Sequence, residues 1–490
     1  GHRVIVVVNK IDRPDQRVYE VIDEVLELLM DLDATDEQLD SPMLFCSGRQ
    51  GTASVQPDEA GSDLKPLFDT ILEYIPAPDV DEEAPFQMLV SSIDYSEFVG
   101  RIAIGRIERG TIKQNQEIAV CNYHDPDAPA KKAKATALYQ FDGLAKVPVT
   151  EATAGNIIAM SGIGDITIGD TICAPDCVEP MEFVKISAPT IEMTFSVNDS
   201  PFAGKEGKFV TSRQLRDRLF RETLKDVSLK VTEMEDSTDS FNVAGRGEMS
   251  LSILMETMRR EGYEFQVGRP RVLFKKDENG NLQEPVEQAV VECPDEYAGK
   301  VIEIFGNSGG TMTSMETGTS VTHVEFRIPT RGIMGLKNRI LNVTHGEGVF
   351  YHTFLEYGPY AGEIGGRKNG AMIAMTTEKA VAYALGTLQE RGSLFVEPGT
   401  ECYEGMLVGE RNQPGDMVVN IARTKNLGNQ RSSTSDISIQ LVPPRTFSLE
   451  EALEYIIDDE LVEITPKNIR MRKRLLNATD RKKAANRAAK

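Results

Sequence analysis

Long apolar runs and paired cysteines are both missing from this sequence. The longest uninterrupted apolar run near the start, Val4 to Val8, has the length of a buried strand, whereas a membrane-spanning helix needs ~20 apolar residues. We therefore expect no membrane partner.

The six cysteines are scattered, at Cys46, Cys121, Cys173, Cys177, Cys293 and Cys402. The pair Cys173 and Cys177 could ligate a metal, but no second pair or nearby His joins it, so we expect no metal site and free thiols suited to a reducing cytoplasm.

Basic charge is scarce too, because the formal net charge is −22. This argues against a non-specific nucleic-acid coat. The charge is unevenly distributed: residues 466–490 hold ten Lys or Arg and one acid, so they carry +9 and the other 465 residues carry −31. An acidic body with a basic end indicates either one local anionic contact or a disordered, solubilising tail.

The length of 490 residues is too great for one core and predicts about three to five domains. Residue 1 is Gly, and an apolar run follows at once, so we expect the chain to begin inside a domain. Strand Val4 to Val8 and a helical pattern from Val18 to Leu32 come first. A second strand, Pro42 to Cys46, and a second helix, Asp63 to Ile75, follow. This alternation predicts one edge of an α/β sheet.

The later segments have other textures. Short alternating strands with Gly turns from Phe86 to Cys173 predict a small β-barrel. Residues 190–267 and 285–356 each follow the split βαβ plan. The remainder mixes strands with two predicted helices, Glu378 to Arg391 and Leu449 to Asp458. The second of these has a capping box, in which Ser448 precedes Glu451 by three residues.

Asn9-Lys10-Ile11-Asp12, directly after the first strand, has the pattern of a guanine-reading loop. One carboxylate, Asp12, can accept both the N1–H and the 2-amino group of guanine, and adenine lacks those donors. Asn9 can bond the N7 edge of the base, and the stem of Lys10 can lie over its face. Ser47-Gly48 ends the next strand, where backbone N–H groups can reach guanine O6. The alternative is a polar turn that closes a strand.

Several motifs beyond this loop resemble translational GTPases. Phe98-Val99-Gly100-Arg101-Ile102 and Gly169-Asp170-Thr171 are similar to their barrel domain. Asn198-Asp199-Ser200-Pro201-Phe202, Gly245-Arg246-Gly247-Glu248, and Glu284-Pro285-Val286 with Glu347-Gly348-Val349-Phe350 resemble domains three and five of elongation factor G relatives. Gly365-Gly366-Arg367-Lys368-Asn369-Gly370, Asp458-Asp459-Glu460-Leu461-Val462-Glu463 and Arg470-Met471-Arg472-Lys473-Arg474 resemble only the TypA/BipA family.

The resemblance implies a multidomain fold that combines α/β, β and α+β parts. The expected domains are a partial P-loop-type G domain (1–78), a translation-factor β-barrel (84–180), ferredoxin-like domains III (187–270) and V (284–360), and a family-specific mixed C-terminal domain with a basic tail (366–490). No domain four is expected between domains III and V. The implied activity is GTP hydrolysis by the complete protein, with GTP and Mg²⁺ as cofactors.

Two departures from the family pattern matter. The loop reads Ser47-Gly48-Arg49, where the family usually has Ala second. No G-x-x-x-x-G-K-[ST] and no D-x-x-G-H segment occurs in the 490 residues. Because those segments hold the phosphates, Mg²⁺ and attacking water, we expect no catalytic residues and no GTP turnover in this chain itself.

The resemblance also implies partners: large-subunit ribosomal RNA and A-site tRNA, contacted by a monomer in the cytoplasm, with a role in translation or 50S assembly under stress. Small polar residues let a loop approach phosphates, and basic residues pair with them. The expected RNA-binding residues are Arg423, Lys425, Arg431, Arg470, Arg472, Lys473 and Arg474. Arg331, Lys337 and Arg339 are weaker candidates. Alternatives are a GTP-independent RNA-binding assembly module, or another elongation-factor-like GTPase such as LepA or a ribosome-protection protein.

Overall fold

The computed structural model describes residues 3–77, 79–126, 128–184, 188–234, 236–318, 320–364, 367–424 and 440–488. The described chain divides into two compact units. One comprises Gly1–Met88, Arg106–Gln114 and Leu138–Ile158, and the other comprises Leu89–Gly105, Asn115–Ala137 and Ala159–Lys490.

The first 77 residues form a small α/β layer. Its elements are β1 (Val6–Asn9), α1 (Val18–Asp31), α2 (Asp36–Leu39), β2 (Met43–Ser47), β3 (Thr52–Ser54) and α3 (Lys65–Tyr74). Strand β1 pairs parallel with β2, and β3 pairs antiparallel with β2. The predicted strand, helix, strand and helix are therefore confirmed, with Pro66 in the first turn of α3, where its missing N–H costs nothing.

The next segment is made of strands, as predicted. They are β4 (Gln87–Ser96), β5 (Gly100–Arg109), β6 (Thr111–Lys113), β7 (Glu117–Asn122), β8 (Lys131–Lys134), β9 (Ala137–Asp142), β10 (Ala145–Val149), β11 (Glu151–Thr153), β12 (Ile157–Ser161) and β13 (Asp170–Cys173). Eight of them form one sheet in the order β10-β9-β12-β5-β4-β13-β7-β8, and β11 pairs with β6. Alternate residues such as Met88 and Val90 are fully buried, which explains the period-two pattern.

Domain III has the βαββαβ order. Its elements are β14 (Ile191–Val197), α4 (Ser212–Lys225), β15 (Lys230–Met234), β16 (Ser237–Gly245), α5 (Glu248–Glu261), β17 (Phe265–Gly268) and β18 (Arg271–Val272). The strands lie in the order β15-β16-β14-β17, which is the split βαβ arrangement. Thr211 and Gln214 form a capping box at the start of α4, and Gly262 ends α5 in the left-handed region.

Domain V repeats this strand order with different side chains. Its elements are β19 (Lys275–Lys276), β20 (Leu282–Pro294), α6 (Asp295–Asn307), β21 (Thr311–Thr317), β22 (Val321–Pro329), α7 (Thr330–Ile333), α8 (Leu336–Val343) and β23 (Val349–Pro359). Strand β20 lies between β22 and β23, and β21 flanks β22. The sequence pattern near Gly332 to Asn342 predicts one helix, whereas the structure has two, because Gly335 adopts a φ of 76° between them.

The C-terminal domain is mixed, as expected. Its elements are β24 (Ala371–Ala374), β25 (Glu378–Lys379), α9 (Ala382–Leu388), a 3-10 turn (Gln389–Arg391), β26 (Gly392–Leu394), β27 (Glu401–Cys402), β28 (Leu407–Arg411), β29 (Met417–Val419), α10 (Leu449–Tyr455), β30 (Glu460–Ile464), β31 (Ile469–Lys473) and α11 (Ala478–Ala488). The capping box of Ser448 and Glu451 is confirmed. The prediction of one helix over Glu378 to Arg391 is wrong at its start, because Glu378 and Lys379 pair with β27.

Strands β30 and β31 join the sheet of domain III. Strand β17 pairs antiparallel with β30, with Phe265 opposite Ile464 and Gly268 opposite Leu461, and β30 pairs with β31. One apolar core accordingly contains Phe195 and Met255 of domain III together with Val462 and Leu453 of the C-terminal domain. The boundary expected between these two domains is therefore bridged by a continuous sheet.

Candidate functional site

The predicted guanine-reading loop, residues 9–12, and the Ser47-Gly48 loop start at neighbouring strand ends. Strand β1 ends at Asn9 and β2 ends at Ser47, and the parallel register places Asn9 opposite Cys46. Ligands of parallel sheets bind outside the carboxyl ends of the strands. Both loops therefore leave the sheet at the edge where a nucleotide is expected.

The side chain of Asn9 ties the two loops together. Its Oδ1 atom accepts hydrogen bonds from the backbone N–H of Lys10, at 2.8 Å, and from that of Gly48, at 3.0 Å. Lys10 has a φ of 66°, in the left-handed region, which is uncommon for a residue other than glycine. Its side chain is exposed. The Asn9 bond to Gly48 also means that this amide is committed within the protein rather than free for guanine O6.

Asp12 is exposed and held from one side only. The hydroxyl of Ser47 donates to Asp12 Oδ1 at 2.8 Å, and Ser47 itself is 1 % exposed. Within the described residues Asp12 Oδ2 accepts no hydrogen bond. A carboxylate that is oriented by one oxygen and open at the other can accept donors from a base. The structure thus brings together all five residues predicted for the guanine site.

Gly48 leaves room for the alanine that is usual in the family. A Cβ atom built on Gly48 would lie 3.5 Å from Nδ2 and Oδ1 of Asn9, an ordinary contact distance.

Among the described residues of this loop, the backbone N–H of Arg49 makes no hydrogen bond, whereas those of Gly48, Gln50 and Gly51 do. Sequence reasoning did not single out this Arg49 amide, since an uncommitted N–H leaves no trace in side-chain identity.

The predicted RNA-binding residues divide into exposed and buried groups. Arg423 and Arg474 are exposed. Arg474 is oriented by its backbone N–H, which donates to the carbonyl of Asp459 at 2.8 Å. Lys425 and Arg431 lie outside the described residues, as does the Asn426 to Ser435 stretch with its Gly/Asn/Ser-rich core.

Three of the predicted RNA contacts are instead buried in ion pairs within the chain. Lys473 is 0 % exposed and lies 2.6 Å from Asp416 and 2.9 Å from Glu460. Arg472 is 1 % exposed and donates to Asp199 and Gln266. Buried charges are stable only when they are paired in this way. The sequence-based assignment of Lys473 and Arg472 to RNA is corrected accordingly.

Arg470 belongs to the same buried group. It donates through Nη2 to Glu206 and through Nη1 to Glu463, the latter at 3.2 Å, and its side chain is 11 % exposed. Glu463 is fully buried and also accepts from Asn198 and from the hydroxyl of Tyr403. Three of the four basic residues between Arg470 and Arg474 therefore pair with acids inside the chain, on a strand that reaches domain III, and only Arg474 is exposed.

The weaker candidates on domain V also divide. Arg331 donates two hydrogen bonds to the fully buried carboxylate of Glu284, at 2.5 and 3.0 Å. Lys337 and Arg339 on α8 are exposed. The interpretation of Arg331 as an RNA contact is corrected to a structural role, because removing its guanidinium would leave Glu284 buried without its cation.

Models of known protein families match most of the chain. Residues 1–77 match the Elongation factor Tu GTP binding domain and residues 100–173 match Elongation factor Tu domain 2. Residues 281–368 match the Elongation factor G C-terminus, and residues 369–478 match the TypA/BipA C-terminal domain. Together with the guanine-reading loop, this succession defines a GTP-binding protein of the elongation-factor type.

Several relatives that share one name match almost the whole chain. "Large ribosomal subunit assembly factor BipA" of Bacillus subtilis (strain 168) is 45% identical over 98% of this chain and 78% of its own. The proteins of that name from Synechocystis sp. and Salmonella typhimurium are 46% and 44% identical, over 96% and 99% of this chain and 79% of each of theirs. The chain belongs to the TypA/BipA family.

The likeness to solved structures is more distant. The match to a crystal structure of a protein from Thermus thermophilus covers 70% of this chain and 67% of that protein's chain. The TM-score is 0.39 and the identity is 15%, so this likeness is too distant to bear on the function. Among the helices of the described residues, none is long and apolar enough to cross a membrane.

Proposed function

We propose that the protein is a ribosome-associated translational GTPase that acts in assembly of the large ribosomal subunit. The observation that carries the proposal is the convergence of Asn9, Lys10, Asp12, Ser47 and Gly48 at the ends of two parallel strands. The relatives, which are named as large-subunit assembly factors, support the ribosomal part.

Each of these residues has a distinct part in reading guanine. The free oxygen of Asp12 accepts from the N1–H and 2-amino groups, while Ser47 fixes its other oxygen. The amide nitrogen of Asn9 faces the N7 edge, and the stem of Lys10 covers the base. Because the Gly48 amide is committed to Asn9, we assign the donor for O6 to the backbone N–H of Arg49.

GTP and Mg²⁺ are the cofactors of this proposal. Mg²⁺ supplies charge neutralisation at the phosphates, and the chain's own residues described above hold only the base. Since the G-x-x-x-x-G-K-[ST] pattern is absent from the 490 residues, this chain alone should bind GTP weakly and turn over none.

The RNA contact of the proposal now rests on fewer residues. Arg423 and Arg474 are exposed on the C-terminal domain, and Lys425 and Arg431 remain candidates from the sequence. The proposed partners are large-subunit RNA and the A-site tRNA, which the protein binds as a monomer in the cytoplasm. Under stress, assembly of the large subunit is proposed to depend on the protein.

Co-sedimentation with ribosomal subunits tests the proposal. The complete protein should pellet with the large subunit or its precursors more strongly with a non-hydrolysable GTP analogue than with GDP. Equal pelleting with GTP analogue, GDP and no nucleotide, together with no GTP hydrolysis, would favour the GTP-independent assembly module instead. Failure to pellet under any of these conditions would remove the ribosomal function.

A further inference from the structure

A cavity of about 310 Å³ in the second unit has only basic residues among its ionisable lining. Arg259 of α5, Arg445 before α10, Lys467 in the turn between β30 and β31, and Arg470 of β31 line it. Three of these cations are paired with carboxylates outside the lining: Arg259 with Glu256, Arg445 with Glu410, and Arg470 with Glu206 and Glu463. Lys467 is therefore the cation that remains to attract an anion.

Two of these cations, Arg259 and Lys467, have N–H donors that remain free for a ligand. Arg259 donates through Nε to the carbonyl of Thr465 at 2.9 Å and through Nη1 to Glu256 at 3.1 Å. A guanidinium has five N–H donors, so Arg259 has others to offer. Lys467 is exposed and makes no hydrogen bond or ion pair within the described residues. It is the cation of this wall that a ligand can take without breaking an existing pair.

Much of the remaining lining is apolar or aromatic. Phe395 and Phe447 line the cavity with their ring centroids 4.8 Å apart, and the guanidinium of Arg445 lies 4.4 Å from the centroid of Phe447. Phe395 remains partly exposed. Aromatic rings and arginine planes are the surfaces on which unstacked bases are held. An inorganic anion alone would leave this wall unused.

We propose that the cavity binds one nucleotide of a single-stranded RNA, with a phosphate at Lys467 and Arg259 and the base beside Phe395 and Phe447. The proposal rests on the RNA-binding function proposed above and adds a place on the chain separate from Arg423 and Arg474. The volume suits one nucleotide, since it lies at the lower end of the range of about 300–1,000 Å³ for ligand pockets. A free nucleotide has the same chemistry, so the test includes both sources.

Fluorescence anisotropy with labelled hexaadenylate RNA tests the proposal on the full chain. Lys467→Ala should weaken binding about tenfold and reduce the slope of log affinity against log salt by about 0.7, the value for one phosphate contact on a single strand. Thr446→Phe, which fills the cavity without changing charge, should weaken binding by roughly 5- to 150-fold, the usual range for one stacked base. Lys300→Ala is the matched control, because Lys300 is an exposed lysine on α6.

The outcomes separate the possibilities. Equal affinity in the parent, Lys467→Ala and Thr446→Phe, or a Lys300→Ala loss as large as that of Lys467→Ala, overturns the site. Displacement of the RNA by adenosine monophosphate at equal concentration would assign the cavity to free nucleotides and overturn the RNA strand as ligand. Ribosome co-sedimentation of the same proteins is independent: a parent that binds hexaadenylate but not ribosomes contradicts the proposed function alone. Thermal melts of each variant identify any loss through unfolding.

Discussion

At the scale of single residues, the proposed guanine site makes Asp12 the residue that decides which base the protein accepts. Its side chain is fixed by Ser47 at 2.8 Å and open at the other oxygen. Asp12→Asn, made in the complete protein, turns an acceptor into a donor, which suits the carbonyl that xanthine has in place of the 2-amino group. We expect GTP affinity to fall by about 10- to 150-fold, the equivalent of one charged hydrogen bond, and xanthosine triphosphate affinity to rise. Competition against a fluorescent guanine nucleotide measures both, with the exposed Asp23→Asn as control; an unchanged GTP preference would remove Asp12 from the site.

Gly48 is a second residue whose role can be isolated. Because its Cβ position is open, at 3.5 Å from Asn9, and its φ is not positive, alanine can adopt the same backbone. We expect Gly48→Ala to stabilise the nucleotide-binding domain by about 0.4–1 kcal/mol by restricting the unfolded chain, with guanine affinity unchanged. Urea denaturation together with nucleotide titration checks this, and a loss of affinity would mean that the loop must move on binding.

At the scale of elements, local patterns anticipated much of the fold and failed where the partner lies far away. The sequence pattern from Glu248 to Glu261 predicts helix α5 over its observed span, because its apolar spacing and its terminal Gly262 are local signals. Strand β31 has a local pattern too, but its neighbour β30 pairs with β17, which lies far earlier in the chain. No short-range feature reveals that Arg472 will meet Asp199.

Two adjacent residues at the end of β31 test this correction. Lys473→Ala removes a buried cation that lies 2.9 Å from the buried carboxylate of Glu460, which keeps Arg367 at 2.8 Å, so we expect a loss of about 1–3 kcal/mol in the free energy of unfolding. Arg474→Ala, one residue on and exposed, should change stability by less than about 0.5 kcal/mol. Chemical denaturation of the two variants compares them directly. If Lys473→Ala folds as stably as the parent but binds ribosomes less well, the original assignment of Lys473 to RNA is right.

At the scale of the whole molecule, we expect the free energy of unfolding to depend on pH through Glu248, the first residue of α5, close to where α5 packs against α10. Burial, helped by the carboxylates of Glu454 and Glu450 and opposed by His352, raises the pKa of Glu248 from 4.5 to about 7. Its Oε1 atom has no hydrogen-bond partner among the described residues. Glu248 and Glu454 line a second cavity, of about 430 Å³, together with the cations Arg269, Arg339 and Arg445. Asn338 donates to Glu454 there.

The sign of this dependence follows from linkage. Between pH 4.5 and 7 the folded protein keeps a proton on Glu248 that the unfolded chain has lost, so stability falls as the pH rises through this window. The full effect is about 3 kcal/mol for a shift of this size. Glu248→Gln should flatten the dependence and stabilise the protein at a pH above about 7, as measured by denaturation midpoints across the range. Parallel pH curves for parent and variant would show that Glu248 titrates normally.

The first 77 residues should open more readily than the core that domain III shares with the C-terminal domain. In the first 77 residues, the buried apolar groups form two small clusters, one around Val8, Val18 and Phe45 and one around Leu44, Cys46 and Ala53. Large apolar side chains there remain exposed, including Leu72 at 80%. In the second unit, one apolar core runs from domain III into the C-terminal domain and includes Phe241, Met258 and Ile464, each fully or almost fully buried. Opening free energy follows the apolar area that an element buries.

Hydrogen exchange measures this difference without any substitution. Amides of β1 and β2 should exchange first, and those of β14, β17 and β30 last, because the latter share one sheet and one core. The C-terminal strand β30 should be protected together with β17, although the two are far apart in sequence, because they are paired by ladder hydrogen bonds. A matched check within the same sample is β21 of domain V, whose side chains are mostly exposed. If β30 opened while β17 stayed closed, the continuous sheet would not be a single cooperative unit. If β1 and β17 were equally protected, the small clusters around Val8 and Leu44 would be as stabilising as the large core.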